Sequence, residues 1–357
     1  TRDGFIKRTP LETFRQQNRG GRGRTAAGMR GDDIVTRSFN AHTHQWVLFF
    51  SSGGKAFREK VWRLPEASPT AKGRALVNML PELGTDGITA VLPLPQDEGL
   101  WDALHLVFAT ASGNVRRNKL SDFRNVRASG LIAMKLDDGD RLIGVATCRD
   151  GDDVFLATRL GRCLRFQIVG ENLRVFTGRD SSGVRGIRRA EGDEVISLSV
   201  LRHVDNGVPD EDLPDDEVAE ADDALPDDAD PVAVPLPAGE ILLTVTNAGF
   251  GKRTAASEYR VTRRGGQGIS NIKLSARSGT AVAASFPVRP GDSVMLVTDE
   301  GRLIRVPSDQ VRVTGRASMG VRMFRLGDTE HVTSVFPVIE PPDAAPDLVD
   351  EIDPTDA

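Results

Sequence analysis

Residues 240–253 read EILLTVTNAGFGKR, and the fold follows from how this stretch is built and how often it recurs. The run EILLTVTN is a strand by its branched, apolar content. It ends on hydroxyl and amide side chains, a glycine turns the chain, and a second strand reaches an arginine four residues after that glycine. Gly249 supplies the positive φ that a tight hairpin needs. The opening strand recurs as WVLFFSS (46–52), HLVFATAS (105–112), DVFLATR (153–159) and SVMLVTD (293–299). The Gly-x-x-x-Arg turn occurs six times, at Gly4–Arg8, Gly54–Arg58, Gly113–Arg117, Gly161–Arg165, Gly249–Arg253 and Gly301–Arg305. A second glycine follows 17 to 22 residues after the first, at Gly23, Gly73, Gly130, Gly183, Gly268 and Gly320. After it comes an apolar, often basic strand, as in GLIAMKL (130–136), GISNIKL (268–274) and GVRMFRL (320–326). A fourth strand closes the unit: DRLIGVATC (140–148), DEVISLSVL (193–201), TAVAASFPV (280–288), EHVTSVFPV (330–338).

Four strands in about 50 residues, repeated six times, predict an all-β, propeller-like ring of six blades. One such sheet cannot bury both faces; radial packing of several does, and closure protects the edges. The units fall near 1–45, 46–101, 102–149, 150–203, 239–290 and 291–340. The first lacks its opening strand, and the chain starts at Thr1 rather than Met, which predicts a piece of a longer protein.

The formal charge of −5 misleads, because the acid is segregated. Residues 205–235 carry thirteen acids and 340–357 carry seven, with no Lys or Arg in either. The rest holds 31 acids against all 46 bases, a balance typical of a polyanion binder. The Asp/Pro/Ala-rich segments 204–236 and 341–357 read as a disordered insert between units four and five and a disordered tail. A tethered polyanion competes with nucleic acid for a basic face, so both are candidate brakes on binding. No apolar run is long enough for a membrane helix. Two cysteines, Cys148 and Cys163, exclude a disulfide framework and a four-cysteine zinc site.

Within the first unit lies Gln17-Asn18-Arg19-Gly20-Gly21-Arg22-Gly23. Glycines let a backbone approach a phosphate and turn N–H groups toward it, and the guanidiniums can form bidentate phosphate contacts. The heptad resembles the Gln-(basic)-Arg-Gly-Gly-(basic)-Gly box of the C-terminal domain of the DNA gyrase A subunit, with Asn18 in place of a basic residue. The six repeats are similar to the blades of that domain, a six-bladed β-pinwheel with four strands per blade. Arg263-Arg264-Gly265-Gly266-Gln267-Gly268 is box-like, but it lacks the leading Gln and is read as the equivalent loop of unit five.

The resemblance implies a non-catalytic module that binds duplex DNA around a basic perimeter and wraps it with a fixed hand. It thereby presents a crossing for ATP-dependent negative supercoiling by a holoenzyme of A and B subunits in the bacterial cytoplasm, on the nucleoid. It further implies that the cleaving tyrosine and the ATPase site lie outside this chain and that the chain needs no cofactor; a closed ring leaves no open edge, which predicts that the isolated fragment is monomeric. Besides the box, the perimeter candidates are the turn cations Lys7, Arg8, Arg58, Arg116, Arg117, Arg165, Lys252, Arg253 and Arg305, with Arg263 and Arg264. Each can equally be an outward strand residue paired with a neighbouring acid. The related topoisomerase IV domain, which bends DNA, is the nearest alternative. A protein-binding propeller scaffold explains the repeats but not the segregated charge, and a propeller enzyme needs converging polar groups that the repeats do not supply.

The remaining reactive residues read as structural. Tyr259, in AASEYRV, reads as packing. No Gly-x-x-x-x-Gly-Lys-Ser/Thr loop occurs. The five histidines form no metal pattern, and His42 and His44 read as a surface pair. The thiols read as buried. Trp46 reads as core and Trp62 as ambiguous.

Overall fold

In the computed structural model, the described residues are 1, 3–10, 33, 39, 41–68, 71–204, 239–300, 302–327 and 329–338. The first unit contributes β1 (Phe5–Ile6). The second supplies β2 (Trp46–Ser51), β3 (Lys55–Lys60), β4 (Arg74–Ala75) and β5 (Ile88–Pro93). The third supplies β6 (His105–Thr110), β7 (Asn114–Lys119), β8 (Leu131–Ile132) and β9 (Leu142–Cys148). The fourth supplies β10 (Asp153–Thr158), β11 (Arg162–Gln167), β12 (Val184–Arg185) and β13 (Val195–Leu201). The fifth has β14 (Ile241–Thr246), β15 (Phe250–Ala255), β16 (Ile269–Ser270) and β17 (Val282–Val288). The sixth has β18 (Ser293–Thr298), β19 (Leu303–Pro307), β20 (Val321–Arg322) and β21 (Val332–Val338).

A blade is not four consecutive strands. The first, second and fourth strands of a unit pair with one another, and the short third strand crosses to the outer edge of the preceding blade. The orders are β5-β2-β3-β8, β9-β6-β7-β12, β13-β10-β11-β16 and β17-β14-β15-β20. The long third strands read from sequence, such as 130–136, reduce to two paired residues. In place of the expected six blades, the described residues form five. The last, β19-β18-β21, has three strands, and the first unit contributes only the β1–β4 ladder, because most of its residues lie outside those described. The fourth strands β5, β9, β13, β17 and β21 pack against one another in series and form the hub.

The hydroxyl that ends each opening strand has a defined task. Ser51, Thr110, Thr158, Thr246 and Thr298 are fully buried. Each accepts a hydrogen bond, at 3.1–3.3 Å, from the backbone N–H four residues on, across the glycine turn. Each also marks a register shift against the fourth strand. The apolar residues before it fill the space between blades: Phe50 and Phe108 meet each other and Phe123, from the 3-10 turn after β7, edge to face or tilted, with ring centroids 5.6–6.0 Å apart.

The strand crossing explains the second glycine. Gly183 and Gly268 have φ of +83° and +71°, and a Cβ on either would collide with the carbonyl of Val115 or Cys163 in the preceding unit. Gly139 has φ of +78° but open space where a Cβ would stand. Alanine at 139 therefore costs about 1 kcal/mol from the backbone alone. Alanine at 268 adds the collision and costs more than about 2 kcal/mol, a difference that paired denaturant titrations will read directly.

Candidate nucleic-acid interface

The turn cations lie mostly inside the protein. Arg116, Arg117, Arg165, Lys252 and Arg253 are 0–5% exposed, which removes them from a solvent-facing perimeter. Arg165 is the clearest case: it pairs with the equally buried Asp153 at 2.7 Å and donates to the Ala256 carbonyl of the next unit at 2.6 Å. His203 meets the other oxygen of Asp153 at 2.9 Å. Arg253 donates to the Val311 carbonyl at 2.7 Å and pairs with Asp309, and Arg117 pairs with Asp150 at 2.6 Å. Arg8, half-buried, donates to the Leu64 carbonyl at 2.9 Å and pairs with Glu66. The repeated arginine of units one, three, four and five thus ties its hairpin to the chain that follows it. Arginine suits the task because its planar fork serves several acceptors at once.

The residue before that arginine is also turned inward where it is cationic. Lys7 donates to the Ser68 and Ala71 carbonyls at 3.1 and 2.8 Å. Arg116 donates to the Ser181 carbonyl at 2.7 Å, and Lys252 to the Gly315 and Arg316 carbonyls. Of the other perimeter candidates, Arg58 is half-buried, 4.0 Å over the Trp46 ring. Arg305 and Arg263 are exposed. Arg264 is half-buried and donates to the Asn172 and Arg185 carbonyls. The box, Gln17–Gly23, lies outside the described residues, as do the insert from 205 and the tail from 339.

An exposed basic rim exists at positions sequence reasoning passes over. The fifth residue after the second glycine is Lys135, Arg188, Lys273 and Arg325 in units three to six, and all four are exposed. Arg74, Arg185 and Arg322, on the crossing strands β4, β12 and β20, are exposed as well. The rim is anchored by the backbone: Arg188 N–H donates to the Gly266 carbonyl and Lys273 N–H to the Ser318 carbonyl, each in the next unit's loop. The signal is present, since the third strand reads as often basic, but the strand crossing that carries it to the outside is not written in any one unit. The hub is the reverse. The strands ITAVLP, LIGVATC, VISLSVL, VAASFPV and VTSVFPV contain no charged residue.

The other reactive side chains are held as packing or surface groups. Tyr259 is fully buried and donates to Asn271 Oδ1 at 2.9 Å; burial raises its pKa. Burial pushes the Cys148 and Cys163 thiols up to about 12, far from reactive thiolates. His42 and His44 are exposed with ring centroids 5.8 Å apart. Trp62 is 50% exposed, and Trp46 donates from its indole N–H to Glu98. No helix among the described residues is long and apolar enough to cross a membrane.

These features define a propeller whose blades exchange a strand, with an uncharged hub and a cationic rim. The family model described as DNA gyrase C-terminal domain, beta-propeller, matches residues 1–38, 45–95, 104–149, 152–202, 240–286 and 292–339. The chain belongs to that family. It is 68% identical to the DNA gyrase A subunit of Granulibacter bethesdensis over 95% of its own length. It is 41% identical to that of Rickettsia bellii over 96%, in each case spanning 39% of the relative's length. Among solved structures it resembles the C-terminal domain of DNA topoisomerase IV (TM-score 0.71, 20% identity, covering 94% of this chain and 91% of that one). It also resembles a DNA gyrase A C-terminal domain (TM-score 0.65, 22% identity, covering 94% and 97%).

Burial presses the Lys252 ammonium down to about 7, against Cys163 and Glu258, which act in the opposite sense. A base weakened by folding destabilises the fold while protonated, because the unfolded chain holds the proton more tightly. The penalty is full below about pH 7 and fades toward the ordinary lysine value of 10.5. Thermal melts are therefore expected to show the wild type gaining on Lys252→Met as pH rises from 7 to 10.

Proposed function

We propose that the chain binds duplex DNA along its outer rim and wraps it with a fixed hand, as a non-catalytic part of a gyrase. The observation that carries this reading is the partition of charge: exposed Lys135, Arg188, Lys273 and Arg325 at one repeated rim position, and no charge on the five hub strands. A polyanion is attracted to the rim and finds nothing at the hub. Bending a stiff duplex over 20–30 base pairs costs on the order of 1–6 kcal/mol, and phosphate contacts repeated around a curve offset that cost through counterion release. Such contacts position the duplex without reading its bases.

In this reading the holoenzyme joins two A subunits to a partner ATPase subunit and introduces negative supercoils in the bacterial cytoplasm. The cleaving tyrosine and the ATPase site lie on other parts of that assembly, and this chain needs no cofactor. The box at Gln17–Gly23 takes part in the wrapping. The acidic insert and tail moderate binding by competing for the rim.

Two measurements test the reading. The slope of log affinity against log salt for a duplex is expected to be steep in the wild type, and to shrink by about one for each rim cation replaced by alanine. Nicked circles sealed by ligase with the chain bound at low salt are expected to show a shifted linking number, smaller with Arg19→Ala/Arg22→Ala. A flat salt slope overturns the reading. Binding without a shift replaces wrapping with the simple bending of a topoisomerase IV-type domain.

A further inference from the structure

The residue three places after each turn glycine alternates along the chain. It is Lys7, Arg116 and Lys252 in units one, three and five, and Phe57, Leu164 and Ile304 in units two, four and six. This residue faces the loop that precedes the second glycine of the next unit, so the loops fall into two classes. Loops of units two, four and six rest on a cation. A Cβ on Gly73, Gly183 or Gly320 would stand 3.1–3.2 Å from the Cβ of Lys7, Arg116 or Lys252, and the cationic head reaches on to the loop carbonyls. Loops of units three and five rest on apolar groups. The Phe57 ring lies 2.8 Å from where a Cβ on Gly130 would be, and Leu164 Cδ1 lies 3.4 Å from that of Gly266.

The cations of the loops themselves follow the same division. Taking the five residues before the second glycine, units two, four and six carry Lys72, Arg179 and Arg316. All three are turned back on the preceding unit. Lys72 lies 3.9 Å over the Phe5 ring, Arg179 donates to the Asp122 carbonyl at 3.1 Å, and Arg316 donates to the Ser270 carbonyl at 2.8 Å. In units three and five, Arg127 and Arg263 are exposed and make no side-chain hydrogen bond or ion pair within the described residues. Unit five illustrates both roles, because its second arginine, Arg264, is the one tied to protein carbonyls.

We infer that the loops add phosphate anchors to the rim at alternate blades, with Arg127 and Arg263 as those anchors on the apolar-seated loops, while the loop cations Lys72, Arg179 and Arg316 of the cation-seated loops take no part. The physical reason is competition for guanidinium donors. A buried cation already satisfies the carbonyls of the even loops and fixes their shape with the loop cation facing inward. On an apolar seat no described residue takes up the donors of Arg127 or Arg263, and a phosphate can accept from both edges of the guanidinium. Beside Arg263 the rim cation Arg188 is held by its backbone to Gly266, so two cations converge there on one stretch of backbone.

The inference rests on the duplex-binding reading, and the test separates the two. Salt-dependent affinity for a duplex is measured on the chain and on Arg127→Gln, Arg263→Gln, Arg179→Gln and Arg316→Gln. The first two are each expected to reduce the salt slope by about one; the second two are expected to leave it unchanged. Should an inward-facing variant fail to fold, the exposed pair decides alone: Gln must lower the slope and Lys at the same position must restore it. A steep wild-type slope with equal losses in all four variants, or with none at Arg127 and Arg263, overturns the alternation and leaves the rim standing. A flat wild-type slope removes both.

Discussion

A short strand pressed against the neighbouring hairpin is the contact on which the rest of this blade array depends. At each described blade junction a left-handed glycine rests against the preceding unit's hairpin. In most cases it lies on a backbone carbonyl, so close that no side chain could stand there. That approach lets two residues, as in β12 or β16, complete the outer edge of a neighbour's sheet. The reciprocal bond is made at the turn glycine: the Gly54, Gly113, Gly161 and Gly249 carbonyls accept from N–H groups of the unit that follows. A blade therefore has no complete sheet of its own, and neighbouring units must fold together. Stability of a repeat array then resides in the junctions as much as in the repeats.

The same junctions account for the buried cations. A crossing chain brings carbonyls of loops and short 3-10 turns into the interior, where unsatisfied acceptors are costly. The arginine at the end of three of the hairpins meets them, reaching Leu64 from Arg8, Ala256 from Arg165 and Val311 from Arg253. One positive charge thereby stabilises several oriented dipoles. Where an acid is present, as Asp153 beside Arg165, the pair is deeply buried, and removing one partner alone would leave a stranded charge. Basic residues in this chain thus divide into those that hold the blades together and those the blades present outward.

That division marks how much of the molecule the sequence discloses. The opening strands, the glycine turns and the hydroxyl that ends each strand are local, and their spacing is legible because each answers to its own hairpin. The strand crossing is not local. Residues 130–136 read as a third strand of their own unit, because nothing within the unit says which sheet they join. The arginine of Gly-x-x-x-Arg is equally opaque. Outward and inward cations have the same one-letter code, and only the carbonyls brought by the next unit decide between them. Lys135, Arg188, Lys273 and Arg325 stand in the sequence at a constant offset, but their exposure follows from the crossing and is invisible without it.

Crossing and charge combine in one geometric consequence. The crossing strand is the outermost strand of its blade, and the cation five residues past the second glycine is carried just beyond it, with its backbone fixed to the next unit's loop in units four and five. A flexible cation loses conformational freedom when it meets a phosphate, and that loss subtracts from the contact. A cation whose backbone is already held in two units loses less. Its position relative to the next cation is set by the same junction that sets the angle between blades. The curvature of the rim and the spacing of its charges are therefore one structural quantity, determined at the glycine contacts rather than adjusted independently.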